Sequence, residues 1–328
     1  MSGLLALGLM SALSISTVHL PLAHEPGQQV ALHCVAPVQA NGRAVLFVHG
    51  ASFPTMLAFG FEFSPGDSWM DFAAKQGFLA CGLDFTGFGD SSRPAAMMRP
   101  AGDATPVTRA PQAAREIAVA ADYLGKTLGM GRIHLVAHSW GTIPAATFAA
   151  THPDALASLT LFGPVVPKPA ASAEPVHEAW WTITAAQRYQ QLRYKDVLPP
   201  TLTLLEPAVA QRWAARFAAS VPHVEGDPPG ALRIPAGPVA DIRAVASGGG
   251  YPYDPSAITA PVFVVYGDYD TVTGDAGATA FLAKFTASPL VWRMRIDHGS
   301  HVMHLEHNRQ SLYRSVDAFI HASEDLQP

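Results

Sequence analysis

Ser139 stands where an apolar run, Ile133 to Ala137, gives way to a segment carrying Ala145, Ala146, Ala149 and Ala150. The run has the length and aliphatic, β-branched make-up of a strand buried on both faces, and the alanines that follow have helical spacing. A serine at that corner is lifted clear of the sheet, with the N–H groups of the new helix facing whatever its hydroxyl attacks. Ala137 and Gly141, two before and two after it, are small because strand and helix nearly touch there. A serine at a βα turn also serves simply as a helix cap, so a nucleophile's role needs partners. A hydroxyl is a weak nucleophile near neutral pH; it requires a base to take its proton and a third group to hold that base's tautomer. The C-terminal part of the chain offers both types. Asp268 and Asp270 follow the apolar stretch 261–266, and His298, His301, His304 and His307 crowd together beyond it.

Strand-like and helix-like stretches alternate along the chain and position these groups. From about Thr17 come "TVHLPLA", "QQVALHCVA" and the apolar "AVLFVHG", then "DSWMDFAAKQG", a helix opening at Asp67 or Ser68 and closing at Gly77. The strand "FLACGLDF", helical periodicity over 111–129, the Ser139 corner and the strand "LASLTLFG" follow. This repeating order predicts an α/β fold, a mostly parallel sheet flanked by helices. After Gly163 the composition changes to "PVVPKPAASAEPV" and then to aromatic-rich, helix-like stretches, until "PVFVVYG" resumes the pattern. The division expected is a core over 1–163, an insertion over 164–253 and the rest of the core over 254–328.

Ala137-His138-Ser139-Trp140-Gly141 resembles the G-x-S-x-G nucleophile elbow of the α/β-hydrolases, with alanine in place of the first glycine. The resemblance implies the chain order serine, acid, histidine. A G-x-x-D pattern from Gly267 selects Asp270 over Asp268, on a strand expected to end at Tyr266. The ending "DHGSHVMHLE" resembles the histidine loop before the final helix, which selects His301 and leaves His298 in reserve. The backbone N–H groups of Ala51, after His49-Gly50, and of Trp140 would form the oxyanion hole. "LDFTGFGDSSRP" resembles the family's D-x-x-G-x-G-x-S loop and gives Asp84, Gly87 and Gly89 structural roles near the site. The resemblance also implies that residues 164–253 form a helical cap.

Bulk properties exclude several alternatives. The chain has 328 residues, 49% of them hydrophobic and 14% charged, which is a globular composition. A net charge of −5 without a basic run leaves no footprint for nucleic acid or anionic membrane. Cys34 and Cys81 supply no disulfide framework, and the histidine cluster lacks H-E-x-x-H or a carboxylate set, so neither metal nor other cofactor is expected. The apolar start "MSGLLALGLMSALSIS" lacks a basic n-region and an A-x-A-like site and is too short to span a bilayer. The cytoplasm is the expected location, export the alternative, and no oligomeric state is specified.

Serine at the elbow points to acyl transfer to water, on a small to medium, largely apolar ester. Phe53, Trp180, Trp181 and Trp213 are the expected substrate-binding aromatics, with Met97 and Met98 near the entrance. Ser139-Trp140-Gly141 also resembles prolyl iminopeptidases, in which acidic cap residues, here Glu178 and Glu206, would hold a free amino terminus. Lactone or thioester hydrolysis, and ligand binding without turnover, are the remaining readings.

Overall fold

The computed structural model describes residues 14–168, 172–192 and 197–326. The apolar residues 1–13 lie outside this set. The strands are β1 Ile15–Pro21, β2 Gln29–Val35, β3 Ala44–Val48, β4 Leu79–Asp84, β5 Ile133–His138, β6 Leu156–Phe162, β7 Trp180–Thr184, β8 Ala231–Pro235, β9 Val262–Tyr269 and β10 Val291–Ser300. The helices are α1 Thr55–Ala58, α2 Trp69–Lys75, α3 Ala110–Asp122, α4 Thr142–Thr151, α5 Ala185–Leu192, α6 Pro207–Ala218, α7 Gly237–Ala246, α8 Asp275–Leu282 and α9 Arg309–Glu324.

Eight strands form one sheet in the order β1-β2-β4-β3-β5-β6-β9-β10. β2 pairs antiparallel with both β1 and β4, and every other pairing is parallel, so β2 alone runs against the rest. Every residue of β3, β5 and β6 is buried, as expected of central strands covered by helices on both faces. α2 opens where expected, with a capping box between Ser68 and Asp71.

Two features depart from the sequence reading. Residues 164–253 hold helices α5, α6 and α7 but also a two-stranded antiparallel sheet in which β7 pairs with β8, Trp181 facing Ile234. The β-branched and aromatic run Trp180-Trp181-Thr182-Ile183-Thr184 has strand propensity that a general aromatic count does not register. β9 also runs on past Tyr266 to Tyr269. Gly267 lies within β9, its carbonyl accepting the Asp270 N–H at 3.1 Å as the strand ends, and it packs closely on the neighbouring chain, where a Cβ would collide with the Gly299 carbonyl.

Cys34 and Cys81 face one another across β2 and β4 and form a disulfide. Among the described residues no helix is long and apolar enough to cross a membrane.

Candidate active site

β5 ends at His138, and Ser139 turns the chain at φ 56°, a left-handed conformation uncommon for a residue with a Cβ. The turn leads through Gly141 into α4. A Cβ on Gly141 would collide with the His49 carbonyl at the end of β3, so the glycine lets the new helix pass over the neighbouring strand. The alanine at 137 is tolerated as a fully buried strand residue between Val48 and Leu161. Gly50 faces the serine from β3's side, where a Cβ would lie 3.0 Å from that of Ser139.

His301 Nε2 lies 2.7 Å from Ser139 Oγ, and His301 Nδ1 lies 3.1 Å from each oxygen of Asp270. With the Nδ1–H donating to the carboxylate, Nε2 presents a lone pair to the serine hydroxyl. Asp270 is buried, which by itself would raise its pKa. The His301 ring and the N–H groups of Val272 and Thr273 outweigh that and hold the carboxyl below its ordinary range. Asp268 is exposed and accepts from Gly299 N–H at 3.1 Å, bracing β9 to β10. Gly163, named from sequence only as a strand end, has φ 58° and sits against this pair; a Cβ there would lie 2.9 Å from His301 Nδ1 and 3.0 Å from Asp270 Oδ2.

The loop carrying His301 is closed by Glu306, whose carboxylate accepts from the N–H and hydroxyl of Ser300. His138 Nε2–H donates to the His301 carbonyl at 2.8 Å. On the other side of the elbow the Trp140 indole donates to Asp241 of α7 at 3.0 Å, and Asp241 also accepts from Arg109 and from Ala110 N–H at the start of α3. Asp241 thereby ties the insertion to the residue beside the serine, a link no local motif announces. Asp84 accepts from Thr55 N–H at 2.8 Å, from His33 at 3.0 Å and from Asp90 N–H at 3.1 Å, which orders the loop after β3.

A cavity of about 210 Å³ opens on Ser139 and His301, with Ala51 and Phe53 in one wall and Trp181 and Val239 in another. Trp180 and Trp213 do not line it, contrary to expectation. Trp180 faces the other side of β7, its indole donating to the Arg99 carbonyl under the Arg233 guanidinium. Trp213 is fully buried between Phe53 and Phe217, its indole bonded to the Leu57 carbonyl. Met97 is buried and Met98 exposed, and neither lines the cavity.

The histidines diverge. His298 is exposed, and His307 pairs with Glu206 at 3.2 Å. Among the described residues no group of three His, Cys, Asp or Glu could hold a metal. His49 donates from Nδ1 to the Gly50 carbonyl and accepts the Phe85 N–H at Nε2. His304 is buried beside Phe53, Phe59 and Phe162, and burial first, then the His301 charge, lowers its pKa to about 3.

Between that value and the ordinary histidine range the unfolded chain binds a proton that folded His304 refuses. Stability from this group is therefore complete above about pH 6.5 and lost as pH falls below it. His304→Phe is expected to flatten the acid side of the stability–pH curve by one proton's linkage, read from denaturant unfolding at several pH values. The buried carboxyls of Glu116 and Glu306, both pushed up to about 7, act oppositely between about pH 4.5 and 7 but cancel in the comparison. An unchanged slope would refute the assignment.

A family model described as alpha/beta hydrolase fold matches residues 43–308. A serine hydrolase involved in carbazole degradation superposes with a TM-score of 0.64 at 15% identity, over 94% of this chain and 100% of the other. The thioesterase domain from the curacin biosynthetic pathway gives 0.61 at 16%, over 94% and 99%. An esterase from Thermogutta terrifontis gives 0.58 at 18%, over 94% and 99%. A search of curated proteins found no match. The sheet order, with its single reversed strand, and the family match over residues 43–308 lead to one conclusion: the chain belongs to the α/β-hydrolase fold family.

Proposed function

We propose that the protein is a serine hydrolase that cleaves a carboxylic ester through an acyl-enzyme. The observation that carries this is the hydrogen-bonded chain Ser139–His301–Asp270 opening on a cavity. As Ser139 Oγ bonds to the ester carbonyl carbon, its proton passes to His301 Nε2. The carbonyl π pair moves onto oxygen, facing N–H donors assigned to Ala51 and Trp140. Collapse re-forms the carbonyl and breaks the bond to the alcohol, which leaves with the proton from His301. Water then repeats the sequence on the acyl-serine, its proton going to His301 and back to Ser139, and releases the carboxylic acid. Asp270 holds the imidazole's tautomer and stabilises the imidazolium, without itself taking the proton.

In this reading residues 164–253 select the substrate, with Phe53, Trp181 and Val239 as apolar walls around the acyl or alcohol group. The cavity's size suits a small to medium ester. The aminopeptidase alternative draws no support from its carboxylates. Glu206 is engaged with His307, and Glu178 lines an adjoining cavity rather than the one at Ser139. A fluorophosphonate is expected to label Ser139, located by peptide mass spectrometry, and to abolish turnover of 4-nitrophenyl butyrate in proportion to labelling. Turnover that persists after full labelling would overturn the proposal.

A further inference from the structure

The wall that the insertion contributes to the Ser139 cavity is built from hydrogen-bond donors. α5 starts at a reciprocal cap: Thr184 Oγ1 accepts from Gln187 N–H at 3.2 Å, and the Gln187 side chain accepts from Thr184 N–H at 2.8 Å. That cap sets the helix phase, and residues 188, 191 and 192, spaced i, i+3 and i+4, share one face. All three line the cavity: Arg188 and Gln191 with polar heads, Leu192 with an apolar one. Trp181, on the strand feeding α5, lines it too, and its indole N–H is buried without a hydrogen-bond partner among the described residues.

Arg188 supplies the one permanent charge among the described side chains in that lining. It is half-buried, so water screens it less than a surface arginine. A guanidinium has five N–H donors in a planar fork, enough to hold a neighbour and still offer an edge to a carboxylate. A plain alkyl ester brings no anion for a guanidinium to bind.

We propose that the substrate is an ester bearing a carboxylate, which Arg188 grips, with Gln191 and the Trp181 indole beside it, while Ser139 attacks the ester carbonyl. This rests on the reading of Ser139 as the nucleophile. Specificity then comes from a charge fixed on α5, and the apolar walls take up the hydrocarbon between carboxylate and ester.

Two pairs of esters differing only in charge test it. The first is mono-4-nitrophenyl glutarate against its methyl-capped counterpart. The second is 4-carboxyphenyl butyrate against its methyl ester. In one pair the charged member should have the higher kcat/KM, and Arg188→Gln should lower that ratio by about 10²-fold, the scale of breaking a buried charge-assisted pair. Arg188→Lys, which keeps the charge and loses the fork, should retain part of it. A ratio near one in both pairs for the wild type, or a ratio unchanged in Arg188→Gln, would overturn the inference. Binding of glutarate to Ser139→Ala, measured by calorimetry against dimethyl glutarate, needs no turnover and no folded Arg188 variant. Binding of glutarate but not the diester supports the inference, and equal or no binding refutes it. Full esterase activity in Ser139→Ala would instead sink the nucleophile, leaving the binding result to stand alone.

Discussion

Ser139→Ala is expected to lower kcat on 4-nitrophenyl butyrate by on the order of 10⁵-fold or more, because the attacking atom itself is lost. The fold should be little affected. The hydroxyl's hydrogen bond to His301 is worth roughly 1 kcal/mol net, and alanine keeps the Cβ that makes φ 56° unfavourable. Ser139→Gly separates the two effects. It should be equally inactive yet melt at a higher temperature than Ser139→Ala, since glycine adopts a left-handed conformation without Cβ strain. Retention of a tenth of wild-type kcat by either variant would remove Ser139 from the chemistry. A lower melting temperature for the glycine variant would show that strain at this corner is not what the backbone angle implies.

The second large effect discriminates between two aspartates two residues apart. Asp270→Asn should cost about 10⁴-fold in kcat, because an amide can present its NH₂ to the imidazole, favour the wrong tautomer and stabilise no imidazolium. Its amide oxygen could still accept the Val272 and Thr273 N–H groups, so melting temperature should change little. Asp268→Asn should stay within a few-fold of wild type. Its carboxylate is exposed and serves one backbone donor, Gly299 N–H, which an amide oxygen accepts as well. Steady-state kinetics of both variants on one ester decide the matter. An inactive Asp268→Asn beside an active Asp270→Asn would require another acid for His301.

The α/β architecture was legible in the chain because its signals are local. Runs such as Ile133–Ala137, turn glycines and helix starts such as Ser68 announce themselves within a few residues. Asp270 was preferred to Asp268 by way of a turn at Gly267; the strand runs on to Tyr269, and the Asp270 N–H donates to the Gly267 carbonyl at 3.1 Å, a turn that carries Asp270 to His301 and leaves Asp268 exposed. The β7–β8 pair was missed because its partners are separated by α5 and α6, and a strand is recognised by what lies across from it. The Cys34–Cys81 bond was missed for the same reason, since it depends on the register of β2 against β4 across 47 residues.

Residue type and spacing by themselves determined the order of strands from β1 to β6, the serine at the strand-to-helix corner, and a short set of acids and histidines to partner it. They could not rank three tryptophans and one phenylalanine as substrate walls. Trp180 and Trp181 are neighbours in sequence but face opposite sides of β7, and only the packing of that strand sends one indole to the cavity and the other to Arg99 and Arg233. Gly163, Asp241 and Arg188 became legible only in three dimensions. A glycine is informative when a second chain segment presses on it, a carboxylate when donors from separate elements converge on it, and an arginine when helix phase turns it toward a serine far away in the sequence. Those are long-range juxtapositions, set by the burial of apolar faces across the whole molecule and not by the residues on either side.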